Sequence, residues 1–477
     1  MRARSSPSNK KKRIRDRTVL VVSAGTYCDG SLTEGVLEAL SGFRVVYMTD
    51  ENTLPTDKKL TRKIHTFKTP AFILQDTELG VSDPSQNPML WALANPVRAQ
   101  QVNAWMQMLG EMIFELEDTY RPDCVLLHYG LFASLAWIER TKAPGLIGTV
   151  PHIILYHSPG VPNRTVPWLF DGRLRSPEFR LYDETFTDQI IDSWTINLKR
   201  MSGDDIRSAT CILRGTRHAL CWDAALTEPV KGLLPGVTAN HIGALLTSRP
   251  KKKSKKTDER ETELIRFVRE AKRPVAFISF GSFGRVECLR RTATLMSREL
   301  VRSFGYAVVF HDTGDPDAPS IAPPPGDDDD GVREQIYIHR GFVSYDDIIP
   351  STSLVLFTGS LCLQLTCLKN AVSMLFVPHL TEQFFWAKNY QHFTGIPYID
   401  ARKMLSDTYI QQELRSEVVR AIREVDKGKA PARRASAFLK RVKKSLNTND
   451  AINNLRKYVL QVLTEHERDV RENALQM

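Results

Sequence analysis

The run from Leu354 to Tyr390, LVLFTGSLCLQLTCLKNAVSMLFVPHLTEQFFWAKNY, gathers residues suited to holding an anion. Thr358, Gly359 and Ser360 are small and let the backbone turn tightly between the apolar run Leu354 to Phe357 and a helix-like segment. A helix opening at that turn leaves its first N–H groups without intrahelical partners, and its dipole adds partial positive charge. Such a turn favours a bound anion such as a nucleotide diphosphate. Ala371 to Pro378 supplies the next strand. Glu382-Gln383 follows in a polar and aromatic loop just past that strand's carboxyl end, where α/β sheets present ligand-contacting side chains.

Residues of this kind need a parallel sheet to hold them. Leu354 to Phe357 is short and wholly apolar, as expected of a strand buried on both faces, and similar runs occur at Val275 to Phe280, Ala307 to Phe310, Gln335 to Ile338 and Met374 to Val377. The first half alternates in the same way: Thr18 to Ala24 reads as a strand, Ser31 to Leu40 as a short helix, Phe43 to Met48 as a strand, followed by Cys124 to His128 and His152 to Tyr156. Between them, about Val97 to Tyr120, lies one long helix whose Val102, Trp105, Leu109, Met112, Ile113 and Leu116 share a face. Helical patterns near Asp407 to Glu424, Ala432 to Ser445 and Ile452 to Glu467 follow. The order predicts an α/β fold of two Rossmann-like domains, each a parallel sheet flanked by helices with right-handed crossovers.

With 477 residues, 42% hydrophobic and 25% charged, the chain is long and apolar enough for two globular cores. Its seven cysteines (Cys28, Cys124, Cys211, Cys221, Cys288, Cys362, Cys367) are scattered, odd in number and without a Cys-x-x-Cys pair, which argues for a reducing compartment and against a zinc site. No run reaches the roughly 18 consecutive apolar residues of a membrane span, and the N-terminus lacks an apolar signal core, so a cytoplasmic protein is expected. The sequon Asn163-Arg164-Thr165 is then read as chance. The formal charge of +10 is concentrated in Lys10 to Arg17 and Lys251 to Lys256. The first block reads as a solvated tail, with a nuclear address or a weak contact with an anionic membrane as its functional alternatives; the second reads as an exposed linker. No aromatic residues are interleaved with basic ones as in a nucleic-acid platform, so no nucleic acid is expected. The acidic run in Pro323 to Gly331 follows three prolines and reads as a solvent loop, not a metal ligand set.

These motifs together resemble the UDP-glycosyltransferases, whose two-domain architecture is called GT-B. In that family a His-Gly-Gly turn opens a helix, a Gly-Val-Pro-Met-like strand follows, and an Asp-Gln pair touches the donor sugar. In register with these the chain has Thr358-Gly359-Ser360, Ala371-Val372-Ser373-Met374 and Glu382-Gln383. Phe342-Val343-Ser344-Tyr345 lies where the family stacks an aromatic residue on the uracil ring. Val275 to Ser282 is similar to the first strand and phosphate-contacting turn of the donor domain, which makes Gly281 and Ser282 donor-site residues, and Asn240 to Leu246 is similar to the segment ending the first domain. The resemblance spans roughly residues 18 to 465. It implies two Rossmann-like domains facing across a cleft: a basic tail at 1–17, an acceptor domain at 18–248, a linker at 249–262, a donor domain at 263–445, and a C-terminal helix at 446–477 returning to the first domain.

The resemblance implies a metal-independent, inverting transfer of a sugar from a UDP-sugar to a hydroxyl of a small or lipidic acceptor, with no cofactor beyond the donor substrate. The phrase Glu382-Gln383-Phe384-Phe385-Trp386-Ala387, similar to a loop of sterol glucosyltransferases, points toward an apolar acceptor. The family's base is a His oriented by an Asp; here Ser31 falls at the base position and His128 at the Asp position. Serine is too weak an acid to act as a base near neutral pH, so either His128 is the base, with Asp29 orienting it, or proton abstraction is lost. Thr358 replaces a diphosphate-binding His, Cys362 an Asn, and Thr366 the Glu that holds the ribose hydroxyls. The alternative is a catalytically silent relative that binds a nucleotide sugar or a protein partner. Acceptor choice would lie in the loops near Thr56 to Pro88 and Pro159 to Asp188, with Trp168, Phe170, Phe179 and Tyr182 as candidate lining.

Overall fold

The apolar runs of the first half become strands β1 (Thr18–Val22), β2 (Arg44–Asp50), β3 (Lys63–Phe67), β4 (Cys124–His128), β5 (His152–Tyr156), β6 (Arg217–Leu220) and β7 (Ala239–His241). The computed structural model describes residues 13–23, 27–51, 54, 61–68, 96–128, 150–156, 215–226, 239–245, 259–281, 287–312, 330–341, 343–378, 381–425 and 428–476. Among them these strands pair in parallel in the order β3-β2-β1-β4-β5-β6-β7. Strand alternation divides the side chains between two faces. Leu20, Val22, Val46, Met48, Val125 and Leu127 meet Trp105, Leu109, Ile113 and Leu116 of the long helix α2 (Pro96–Tyr120) on one of them. Val19, Val21, Val45, Tyr47, Cys124 and Leu126 meet Val36, Leu37 and Leu40, at the end of helix α1 (Tyr27–Ala39), on the other.

Helix α1 starts four residues earlier than its apolar spacing suggests, so Asp29, Gly30 and Ser31 occupy its first turns instead of the turn before it. No breaker separates Tyr27 from Asp29, and an acidic residue near the N-terminus complements the dipole. Strands β3, β6 and β7 escaped the sequence reading because KIHTF, RHAL and ANH are short and carry charged or polar residues.

The second half forms β8 (Val275–Ser279), β9 (Ala307–Asp312), β10 (Ile336–Arg340), β11 (Leu354–Phe357) and β12 (Ser373–Phe376), all parallel, in the order β10-β9-β8-β11-β12. Around it lie helices α3 (Glu259–Glu270), α4 (Glu287–Phe304), α5 (Leu361–Asn370), α6 (Thr381–Thr394), α7 (Leu414–Val425) and α8 (Ala430–Thr448). The two sheets are separate. The last helix, α9 (Ala451–Gln476), crosses back and inserts Leu455, Tyr458, Val459, Val462 and Leu463 against the α1 face of the first sheet. Arg456 anchors it there, its Nε donating to the Ala39 carbonyl at 2.8 Å. Gly243 (φ 103°) makes the crossing feasible, since a side chain there would overlap Asn449.

The halves also touch directly. Helix α1, which follows β1, packs against α5, which follows β11, so the helices that follow a strand at the reversal of each sheet meet. Trp222 and Trp386 stand edge to face at 6.3 Å, and the Ser445 hydroxyl donates to the buried Asp223 carboxylate at 2.8 Å. Among the described residues no helix is long and apolar enough to cross a membrane. The basic blocks at 1–12 and 251–256 and the acidic run at 327–329 lie outside the described residues.

Candidate functional site

In each sheet the strand order reverses once, between β1 and β4 and between β8 and β11. Side chains and loops at the carboxyl ends flanking such a reversal form the natural crevice for a ligand. At the second reversal Ser279 pairs with Phe357, so Gly281 and Gly359 each follow the last paired row by two residues. Both have positive φ, 57° at Gly281 and 107° at Gly359, so each turn exposes peptide groups in a conformation that favours glycine. A Cβ on Gly281 would meet nothing within 4 Å; one on Gly359 would come within 3.2 Å of Gln383 Cβ and 3.3 Å of Phe376 Cδ1. The space is open on the first turn and packed on the second.

Thr358, buried, directly follows β11, and Ser360 precedes α5 without using its side chain as a cap. The first α5 amides therefore have no side-chain oxygen of Ser360 on them. Glu382 and Gln383 lie in the first turn of α6, not in a loop as their sequence suggested; Glu382 in that turn favours a helix start electrostatically. Gln383 is buried against the Gly359 turn, so these two predicted residues come together. Thr366 turns its hydroxyl onto the Cys362 carbonyl of its own helix at 3.0 Å. Ser282, Phe342 and the side chain of Glu382 lie outside the described residues.

Sequence reasoning missed the carboxyl end of β9. His311 and Asp312 there join elements on either side. Ser279, His311 and His339 form one row across β8, β9 and β10. His311 Nε2 is 2.9 Å from the Gly341 carbonyl oxygen, and Nδ1 is 3.0 Å from Ser279 Oγ. A carbonyl can only accept, so Nε2 carries the proton. Burial pushes the ring's pKa down to about 4 even though the Gly341 bond opposes this, and the neutral ring then accepts the Ser279 hydroxyl proton at Nδ1. The Gly281 N–H in turn donates to Ser279 Oγ at 3.4 Å. Asp312, buried, accepts from Arg290 of α4 at 3.1 Å and from Arg340 at the end of β10 at 3.2 Å. The signal was a His-Asp pair at a strand end, where the apolar run had already stopped at Phe310.

At the first reversal, His128 ends β4, buried, one residue beyond the Val22–Leu127 pair and level with Ser23. Ser23 Oγ bonds Thr33 Oγ1 at 2.9 Å, fastening α1 to the end of β1. Asp29 and Ser31 therefore belong to the helix that rises from the same strand ends, although their side chains lie outside the described residues, as do Trp168, Phe170, Phe179 and Tyr182. Among the described residues no group of three or more His, Cys, Asp or Glu is arranged to hold a metal ion.

Solved structures match this architecture along nearly the whole chain. A glycotransferase of kitacinnamycin is 14% identical with a TM-score of 0.58, over 94% of this chain and 99% of its own. A UDP-glucosyltransferase from Polygonum tinctorium capable of glucosylating indoxyl, in complex with 3,4-dichloroaniline, is 14% identical with a TM-score of 0.60 over 94% and 98%. The glycosyltransferase VinC, in complex with DTDP, is 14% identical with a TM-score of 0.54 over 94% and 100%. No protein-family model and no curated protein sequence matches the chain. The two Rossmann-like lobes are those of a GT-B glycosyltransferase fold.

Proposed function

We propose that the protein is a glycosyltransferase that binds a nucleotide sugar at the turns after β8 and β11 and passes the sugar to a hydroxyl of a small or lipidic acceptor held between the halves. The observation that carries this reading is the pair of left-handed glycines, Gly281 and Gly359, set in register at the second strand reversal beside the start of α5. The fold of glycosyltransferases over 94% of the chain supports it. Backbone amides at a helix start can hold a diphosphate without a cation, which favours a metal-independent reaction. Direct attack by the acceptor hydroxyl would invert the anomeric carbon.

Donor contacts are assigned to Gly281, Ser282, Phe342, Thr358, Gly359, Ser360, Glu382 and Gln383. His128 is assigned as base, with Asp29 and Ser31 beside it at the first reversal. In this reading residues 18–248 serve the acceptor, 263–445 the donor, 249–262 link them and 446–477 return to the first half. The protein works in the cytoplasm without a cofactor, and the tail at 1–17 makes at most a weak contact with anionic membrane. A second reading, a catalytically silent nucleotide-sugar binder, is favoured by Ser31 and Thr358 standing where the resembled family has histidines.

Calorimetric titration of the full chain with UDP, dTDP and UDP-glucose tests the site. Saturable binding of a nucleoside diphosphate is expected, and absence of binding to both UDP and dTDP refutes it. Donor hydrolysis, or its absence, then separates transferase from silent binder. If His128→Ala turns over at the parent rate, His128 has no part in the reaction.

A further inference from the structure

We infer that His311 is a positioning residue that fixes the Gly281 turn relative to the Gly341 turn, so that both ends of a nucleoside diphosphate are met at once. The inference rests on the donor-site reading above and adds to it a residue that touches no ligand. Gly281 lies on the side given to the diphosphate, and Gly341 immediately precedes Phe342, on the side given to the base. The turns follow different strands, β8 and β10, with β9 between them. No backbone hydrogen bond of the sheet can join residues two strands apart. The imidazole does so from the intervening strand, with Nε2 on the Gly341 carbonyl at 2.9 Å and Nδ1 on Ser279 Oγ at 3.0 Å. Ser279 Oγ accepts the Gly281 amide in turn, at 3.4 Å.

The chain of donors is directional. Gly281 N–H gives to Ser279 Oγ, Ser279 O–H gives to His311 Nδ1, and His311 Nε2–H gives to the Gly341 carbonyl. Each group therefore has one orientation, and only a neutral imidazole with its proton on Nε2 completes the series. Burial supplies that neutral ring, holding its pKa down to about 4. Phe277 and Tyr345 pack around the imidazole at centroid distances of 6.1 and 6.4 Å, which fixes the ring plane. The next residue of the same strand, Asp312, makes a second bridge with charge, tying α4 to β10 through Arg290 and Arg340.

A residue that aligns two half-sites affects a ligand spanning both far more than one filling a single half. Calorimetry on the full chain with UDP and with inorganic pyrophosphate, for the parent, His311→Phe, His311→Gln and Ser279→Ala, makes that comparison. His311→Phe is expected to weaken UDP by about tenfold or more while pyrophosphate changes by less than about twofold. His311→Gln, whose amide N–H can still reach the Gly341 carbonyl, is expected to recover part of the loss. Ser279→Ala, a smaller change that keeps the ring, decides the matter should His311→Phe fail to fold, and is expected to weaken UDP selectively as well. Folded variants that bind UDP like the parent overturn the inference and leave the donor site standing. Equal losses for UDP and pyrophosphate overturn it too, since they would mean only a damaged Gly281 turn. A parent that binds pyrophosphate but neither UDP nor dTDP overturns the donor-site reading and this role together.

Discussion

A carboxylate at residue 358 would face a phosphate if the turn after β11 holds the donor. Thr358→Asp is therefore expected to abolish detectable UDP binding, and Ser282→Asp to weaken it strongly, because each sets negative charge against the ligand. Since Thr358 is buried, Thr358→Val serves as the control: it keeps the shape, removes one hydroxyl, and should weaken UDP by no more than about tenfold. Calorimetry beside thermal unfolding separates binding from folding; Thr358→Asp folded and binding like the parent would exclude this turn from the site. His311 yields a second expectation. Its ring titrates at about 4 when folded against 6.5 when free, so between those values the unfolded chain binds the extra proton. Stability is then full above pH 6.5, falls as pH drops through that window, and levels off below about 4. His311→Phe should flatten the dependence of Tm on pH between 6.5 and 5 relative to the parent, and an unchanged slope would contradict a buried neutral ring. The glycines and small polar residues of the turns were legible because turn chemistry is local. The His311 bridge was not, since its partners lie 32 and 30 residues away and only pairing of the strands brings them together.

At the scale of elements, the two turns differ in what surrounds them, and substitution should reveal it. Gly281→Ala meets open space and should cost only the backbone strain of a left-handed residue, about 1 kcal/mol. Gly359→Ala adds a methyl 3.2 Å from Gln383 Cβ and 3.3 Å from Phe376, in a wider φ of 107°, and should cost about 2–3 kcal/mol as α6 is pushed off the turn. Urea unfolding measures both; equal losses would mean that α6 does not rest on the turn. The central strands were readable because burial on both faces leaves an unbroken apolar run, as in LVLF and VAFIS. Strands β3, β6 and β7 were not, because exposure admits residues such as Lys63, Arg217 and Asn240, which erase the signal. Helix α6 was mistaken for a loop because its polar and aromatic residues give little amphipathic contrast: Phe384, Trp386, Ala387, Gln383 and Asn389 are all buried.

For the whole molecule, the contacts between the two halves among the described residues include the buried Trp222, Trp386 and Asp223. The Ser445 hydroxyl reaches both oxygens of Asp223, at 2.8 and 3.0 Å, across 222 residues of sequence. Ser445→Ala removes a hydrogen bond to a buried carboxylate and should lower unfolding stability by about 1.5–3 kcal/mol; a loss below about 0.5 kcal/mol would make the contact dispensable. Ending the chain after Thr448 strips the first sheet of Leu455, Val459, Val462 and Leu463, each worth about 1.5–3 kcal/mol when buried, against a typical domain stability of about 5–15 kcal/mol. That truncation should leave the first half unfolded or aggregated while the second keeps its cooperative transition, which a two-step melt of the parent and a one-step melt of the truncation would report.

Helix α9 also reverses the order in which the protein can be finished on the ribosome. At a synthesis rate of about 5–20 residues per second, the first sheet emerges early yet has one face covered only in part, by the end of α1, until residues 451–463 arrive, while α3 to α8 of the later sheet are already made. The portion made first is thus sealed last, and for most of its synthesis the nascent chain lacks the Leu455, Val459, Val462 and Leu463 that complete the cover over this face.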